Sequence, residues 1–302
     1  IQHVTQYSGG RPVSVGCNQA WLRPRNLPWQ ICHQHALAIE PQPSIWSDRS
    51  DYYGNSLSNF SFDAGYDQLK VTARSEVEVL PHAVPGGDDT PPWDELQKRF
   101  RSGADTQLVE VGQFTFGSPR ARRLEAAREY AAQSFPPGRP ILAAVLELTA
   151  RIHADFEYRP QSTTVSTPID HVFETRAGVC QDFAHLQIAM LRDLGLAARY
   201  VSGYLRTIPP PGEPRRIGAD ASHAWLSVYC GDAGWIDVDP TNNMIAAEDH
   251  ITLAWGRDYD DVPPLKGVFI GGEAHNLKVE VDVEPIDPQA ATDAPAPASP
   301  PP

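Results

Sequence analysis

The sequence predicts an α+β protein, with a β-rich N-terminal region, helices in the middle and strands again beyond them. Three observations lead there. Leu69, Val71, Ala73, Val77 and Val79 recur with the period of two of a half-buried strand. Phe183, Leu186, Met190 and Leu194 step by 3, 4 and 4, one face of a helix. Alternation then returns at Ala198–Leu205, His223–Cys230 and Trp235–Asp239. The chain has 302 residues, enough for two domains.

In chain order, residues 1–80 form the β-rich domain. The opening Ile-Gln-His-Val-Thr-Gln-Tyr reads as strand, and Ser58–Phe62 as another after the turn signal Tyr53-Gly54-Asn55. Residues 81–118 read as a linker, because Pro81 to Pro92 holds four prolines and two glycines. A core follows over 119–280. Its first helix is the Ala-, Glu- and Arg-rich run after Pro119-Arg120. A second runs from Pro140 to His153, with proline near its first turn. A third starts near Cys180 and ends at the cap residue Gly195. Residues 281–302 form a Pro/Ala-rich tail, with seven Pro and five Ala in the last 18 residues; it is expected to be extended or disordered.

Composition excludes several classes. With 41% hydrophobic and 21% charged residues, the chain is not mainly disordered, collagen-like or coiled coil. The 25 basic and 38 acidic residues give a net charge of -13, so neither nucleic acid nor an anionic membrane is an expected partner. No apolar run approaches the ~18–20 residues that cross a bilayer. With no signal-type stretch in sight, the default expectation is a cytoplasmic location. The cysteines Cys17, Cys32, Cys180 and Cys230 have no CxxC spacing and make no disulfide framework. Cys17, Cys32 and Cys230 read as buried free thiols.

Cys180 sits in Arg176-Ala177-Gly178-Val179-Cys180-Gln181-Asp182-Phe183-Ala184-His185. Gly178 permits a tight turn, and Cys180 then opens a helix. The positive end of the helix dipole stabilises a thiolate there, and unpaired amides can cradle an oxyanion. From this segment alone, a small core residue at a helix start is as good a reading.

The second segment changes the balance. In Ser222–Cys230, Ala224, Leu226, Val228 and Cys230 share one face, and His223 and Trp225 the other. After the turn Gly231–Gly234, Asp237 and Asp239 share a face opposite Ile236 and Val238. A strict four-residue loop would pair Cys230 with Trp235 and put His223 on the face of Ile236. A meeting of His223 and Asp239 therefore requires an odd count or a bulge, with Trp225 opposite Asp239 and His223 diagonal to it. Cys, His and Asp are together the parts of a thiol nucleophile system.

These residues closely resemble the bacterial transglutaminase-like family, on the papain-like cysteine-proteinase fold. The matching stretches are Gly178–His185, Arg199–Tyr204, Ala221–Trp225 and Asp239-Pro240-Thr241-Asn242. A looser similarity covers the β-rich region of residues 1–80. The resemblance implies Cys180 as nucleophile, His223 as base and Asp239, directly before Pro-Thr, as the residue orienting the base, with Asp237 as runner-up. It implies acyl transfer through a thioester on a peptide or protein amide substrate, without a cofactor. Hydrolysis is the favoured outcome, transfer to an amine the alternative, and a silent binding module the third reading. Gln161 is a candidate second oxyanion donor.

Weaker signals complete the reading. In Trp255–Pro264, Asp258 could grip a substrate amine or simply cap a turn, as Asp commonly does. Asp258, Asp260 and Asp261 lack the Gly and distal Glu of a calcium loop, so no metal is expected. Cys32-His33-Gln34-His35 has no second ligand pair nearby, which favours a structural reading over zinc. His185, five residues after Cys180, reads as packing. Trp225 either lines a substrate groove or packs the cleft wall.

Overall fold

The computed structural model describes residues 1–103, 105–207, 221–272 and 275–286. Its elements are β1 (Gln2–Ala20), β2 (Gln30–Glu40), β3 (Ile45–Ser50), β4 (Ser56–Phe62), β5 (Tyr66–Val79), α1 (Trp93–Ser102), α2 (Val109–Gly112), α3 (Glu125–Ala132), α4 (Ile141–Asp155), β6 (Glu157–Tyr158), α5 (Ile169–Thr175), β7 (Ala177–Gly178), α6 (Cys180–Asp193), β8 (Ala198–Leu205), β9 (Ala221–Tyr229), β10 (Trp235–Asp239), β11 (Met244–Ile245), β12 (His250–Gly256), β13 (Leu265–Gly271) and β14 (His275–Asp282).

The N-terminal sheet has the order β2-β5-β1-β4-β3. The predicted β5 alternation is real: Leu69, Val71 and Ala73 are buried in one small core with Phe60, Phe62 and Ile39. Strand β1 is long enough to serve two sets of neighbours. Its first half pairs with β5 and β14, and its second half with β4 and β13. The sheet is thus completed by residues from the far end of the chain. Leu265–Gly271 and residues 275–280, read from sequence as core, belong to it, and so do Val281 and Asp282, read as tail. Their alternation is weak because β13 is almost wholly exposed, so no burial pattern marks it. Residues 287–302 of the expected tail lie outside the described residues.

Residues 81–118 are not a bare linker. They carry α1 and α2, and they bury Leu96, Leu108 and Phe114. Gln97 Nε2 donates to the Leu194 carbonyl at 2.6 Å, capping the end of α6. The prolines and glycines obscured these short helices.

The second sheet has the order β11-β10-β9-β8-β12. Helix α6 packs on it as the central helix and is buried nearly all round, so its apolar stripe understated how deeply it sits. Ala224, Leu226 and Val228 of β9 join Phe183, Leu186 and Met190 of α6 in the main core. Even Arg192 of α6 is buried, donating to the carbonyls of Phe114, Ala198 and Arg257 and to Ser118 Oγ. Among the described residues no helix is long and apolar enough to cross a membrane.

Candidate active site

Four short pieces place Cys180 at the start of α6. Arg176 ends α5 in the left-handed region, at φ 53°. Strand β7 then pairs in parallel with β6, so Tyr158 lies beside Gly178. Asp182 folds back over the turn: its Oδ2 accepts from Val179 N–H at 2.9 Å and from the Thr163 hydroxyl at 2.6 Å. A Cβ on Gly178 would sit 2.9 Å from Asp182 Cβ and Oδ2, so the glycine makes room for this cap. Burial raises the pKa of Asp182 against the pull of those two bonds. Cys180 itself is half-buried at the helix start.

The hairpin has the odd count the sequence requires. Trp235 pairs with Tyr229, Asp237 with Ser227 and Val238 with Leu226, across the five residues Cys230–Gly234. Gly231 and Gly234 take φ of 70° and 71°, and Cys230 N–H donates to the Gly234 carbonyl at 2.7 Å. One step further along this register, Asp239 faces Trp225, and His223 lies diagonal to it. His223 Nε2 meets Asp239 Oδ2 at 2.8 Å.

Asp239 is fully buried yet rich in donors. Oδ1 accepts from the Thr241 and Asn242 N–H groups at 2.9 and 3.2 Å. Oδ2 accepts from His223 Nε2, from Asn242 Nδ2 at 2.6 Å and from His250 Nε2 at 3.1 Å. Burial alone would raise its pKa, but the bonds from His223 and His250 outweigh that and hold it well below the carboxylate range. Burial likewise opposes the charge on His223. Its bonds with Asp239 and Cys180, and the charges on both, overcome this and push it up to about 10. With Nε2 committed to Asp239, Nδ1 is the ring nitrogen left for the thiol. Tyr158, half exposed on β6 opposite Gly178, is raised by its own burial and then by charge at Cys180.

The other sequence candidates fall elsewhere. Asp237 accepts the indole N–H of Trp225 at 2.9 Å, so it is not the partner of His223. Trp225 is 0% exposed; it packs between His223 and His250 and also lines a cavity of about 100 Å3 with Trp29, His82 and Trp235. Of the two readings given to Trp225, its full burial and its bond to Asp237 fit wall packing. Asp258 fits the turn-capping one of its two readings. It is buried, with Oδ2 on Arg120 N–H at 3.0 Å and Oδ1 on Asp260 N–H at 2.9 Å, so it caps the turn and has no oxygen for a substrate. Gln161 sits in an exposed turn at φ 63°, and among the described residues no hydrogen bond ties it to Cys180. His185 accepts from Tyr259 N–H at 3.1 Å and stacks on Tyr200, a structural role as expected.

Cys17, expected buried, is exposed and Cys32 is intermediate, because both lie on strands with one solvent face; Cys230 is buried. His33 binds Glu78 and His35 binds Ser75 Oγ, which accounts for the pair without zinc. His223, Asp239 and His250 bring three ligand-type atoms within 4.8 Å. Each of those atoms is already used in hydrogen bonds between the three, so the cluster reads as a bonded relay.

Sequence reasoning missed two residues here, His250 and Tyr158. The signal for Tyr158 was slight, an aromatic two residues after Phe156 ahead of the Cys180 segment. His250 gave none, since it opens a strand far from the hairpin.

Comparison with known proteins follows the same lines. The transglutaminase-like superfamily core matches residues 128–240, and the bacterial transglutaminase-like N-terminal region matches residues 1–78. The chain belongs to the bacterial transglutaminase-like family. An uncharacterised protein of Mycobacterium tuberculosis is 41% identical over 296 residues, covering 95% of this chain and 92% of that one. A protein-glutamine gamma-glutamyltransferase of Pseudomonas aeruginosa is 33% identical over 129 residues, 41% of this chain and 18% of that one. A solved structure of a candidate cysteine protease from Cytophaga hutchinsonii superposes with a TM-score of 0.68 at 20% identity, covering 94% of this chain and 92% of that one. This family member therefore has the papain-like transglutaminase-core fold behind a β-rich N-terminal region.

Proposed function

We propose that this protein is a thiol amidohydrolase acting on peptide or protein amides through Cys180, His223 and Asp239. The carrying observation is His223, held by Asp239 Oδ2 at 2.8 Å on one side and coupled to Cys180 on the other. The Cys180 thiolate attacks the amide carbonyl carbon, and the C=O electron pair moves to oxygen. The Cys180 amide at the helix start donates to that oxyanion. Collapse breaks the C–N bond, and the leaving amine takes its proton from the His223 imidazolium. A thioester remains. Neutral His223 then takes a proton from water as it attacks, and the thiolate leaves with the acid product. Asp239 keeps the imidazole oriented and stabilises its cation throughout.

Cys180 is half-buried and not sealed from solvent, so a thioester on it is open to water. That favours hydrolysis, since transfer needs water held off. The similarity to the Pseudomonas aeruginosa enzyme favours the second reading, transfer to an amine.

The test begins with iodoacetamide at mildly acidic pH and mass-spectrometric mapping. An ordinary thiol has a pKa of about 8.5 and reacts slowly there. Fast labelling at Cys180, lost in His223→Ala, is expected. Labelling no faster than at Cys17 or Cys32 would overturn the proposal. Substrate peptides are then incubated with and without a primary amine. Free acid in both supports hydrolysis, and amine incorporation supports the second reading.

A further inference from the structure

Asp239 Oδ2 serves two histidines, and the proposed chemistry uses only His223. The second, His250, is fixed on every side. Its Nδ1 accepts from Ala247 N–H at 3.3 Å, and its own backbone N–H returns to the Ala247 carbonyl at 2.9 Å. The acceptor role of Nδ1 leaves the ring proton on Nε2, which donates to Asp239 at 3.1 Å. The ring meets Trp225 edge to face at 5.2 Å, and its side chain is 2% exposed. Next to it, the Arg206–Asp249 ion pair at 2.7 Å and the Arg206 N–H on the Asp249 carbonyl anchor the start of β12.

Resting on the reading of His223 as base, we infer that His250 is a positioning residue for the His223–Asp239 pair. Its Nε2–H draws charge from the oxygen that His223 shares, and so sets how firmly His223 keeps its proton. Orientation of the carboxylate does not depend on it: the Thr241 and Asn242 N–H groups hold Oδ1, and Asn242 Nδ2 holds Oδ2. What His250 adds is one more donor on Oδ2. A carboxylate with more donors is a weaker partner for an imidazolium. The effect suits a catalyst that must release a proton to the leaving amine at each turnover, because an imidazolium held too firmly is a poor acid.

Among the described residues, the ionisable groups around this trio are these. Cys180 comes from α6, with Asp182 two residues further on; Tyr158 lies on β6 opposite Gly178, and His153 of α4 has its Nδ1 paired with the Thr241 carbonyl at 2.8 Å. Asp237 lies two residues before Asp239 and is tied to Trp225. Asp249 adjoins His250 and is neutralised by Arg206. None of them but Asp239 shares an oxygen with both imidazoles.

The experiment follows the His223 ring by NMR across pH in full-length Cys180→Ala protein, where no thiolate adds to the signal. It compares that protein with the same protein carrying His250→Phe, His250→Gln or His250→Asn. Loss of the donor in His250→Phe is expected to raise the His223 midpoint by about one pH unit, a tenfold change in proton affinity. His250→Gln, whose amide N–H reaches towards Oδ2, should restore most of the difference. If the Phe variant does not fold, His250→Asn, too short to reach, takes its place. An unchanged or lowered midpoint in a folded non-donating variant overturns the inference. Alkylation of the unmodified chain separates this from the reading it rests on. Slow labelling of Cys180 removes the acyl-transfer role, while the His223 midpoint still decides what His250 does.

Discussion

The indole N–H of Trp225 binds Asp237 at 2.9 Å, and this one contact decides which carboxylate serves His223. Asp237 and Asp239 share a face of β10, and the alternation alone treats them alike. Trp225 occupies Asp237, and the hairpin register carries Asp239 to His223.

Replacing Asp239 by Asn should therefore damage turnover far more than replacing Asp237. Asp239→Asn keeps the shape but loses the charge that orients and stabilises the imidazolium. Asp237→Asn should retain most of the activity and cost about 1 kcal/mol of stability, the worth of one hydrogen bond. Parallel rate and denaturation measurements compare the two; a greater rate loss at Asp237 would reverse the assignment.

Cys180→Ala should abolish turnover and leave the fold intact. The thiol is half-buried at the helix start, and the cap is made by Asp182 and not by the cysteine. Circular dichroism with a thermal scan checks the fold, and residual hydrolysis above background would count against Cys180 as nucleophile.

The stability of the site should depend on pH at both ends. The His223 pKa is raised to about 10, so its contribution is complete below about 6.5 and is lost as pH rises through 10. The Asp239 pKa is lowered, so its contribution is present above about 4 and fades as pH falls towards its folded value. Urea denaturation at stepped pH should show the alkaline loss, and His223→Gln should flatten it. An equally steep alkaline loss in that variant would place its origin elsewhere.

Asp258→Ala should destabilise the protein by about 1–2 kcal/mol, as loss of a capping side chain does. Turnover of the folded fraction should change little, since both carboxylate oxygens are spent on backbone N–H groups. A raised KM at unchanged stability would instead restore the substrate role.

Gly203→Ala should be among the most damaging single changes away from the thiol. A Cβ there meets the Ile251 carbonyl oxygen and the six-membered ring of Trp225. Backbone cannot yield cheaply, and overpacking of this kind costs about 1–3 kcal/mol or more. Soluble yield and denaturation midpoint both report it.

Much of the site was legible in the chain because its parts are locally encoded. A helix start is written in the residues just before and after Cys180. The requirement for an odd hairpin follows from the parity of His223 and Asp239 alone, and the observed register meets it. Asp239 was separable from Asp237 through family resemblance; the physical separation came from Trp225.

Other features depended on pairings between distant segments, which leave no local period. His250 reaches Asp239 because β12 pairs with β8, not because of its own neighbours in sequence. Tyr158 comes opposite Gly178, two residues before the thiol, through the two-residue pairing of β6 with β7. Leu265–Gly271 and His275–Asp282 return to the first strand of the chain, and their exposed faces carry no hydrophobic pattern to announce it. Trp225 and Asp258 looked available for a ligand because a sequence shows residue type but not burial. The chain by itself determined the main strands and helices of the core and the parity of the hairpin, since each is a matter of local periodicity, whereas Cys180, His223 and Asp239 were named as a set through resemblance. Tertiary packing alone decided which polar groups were consumed by the fold and which remained for chemistry, because that depends on which distant donor arrives at each oxygen.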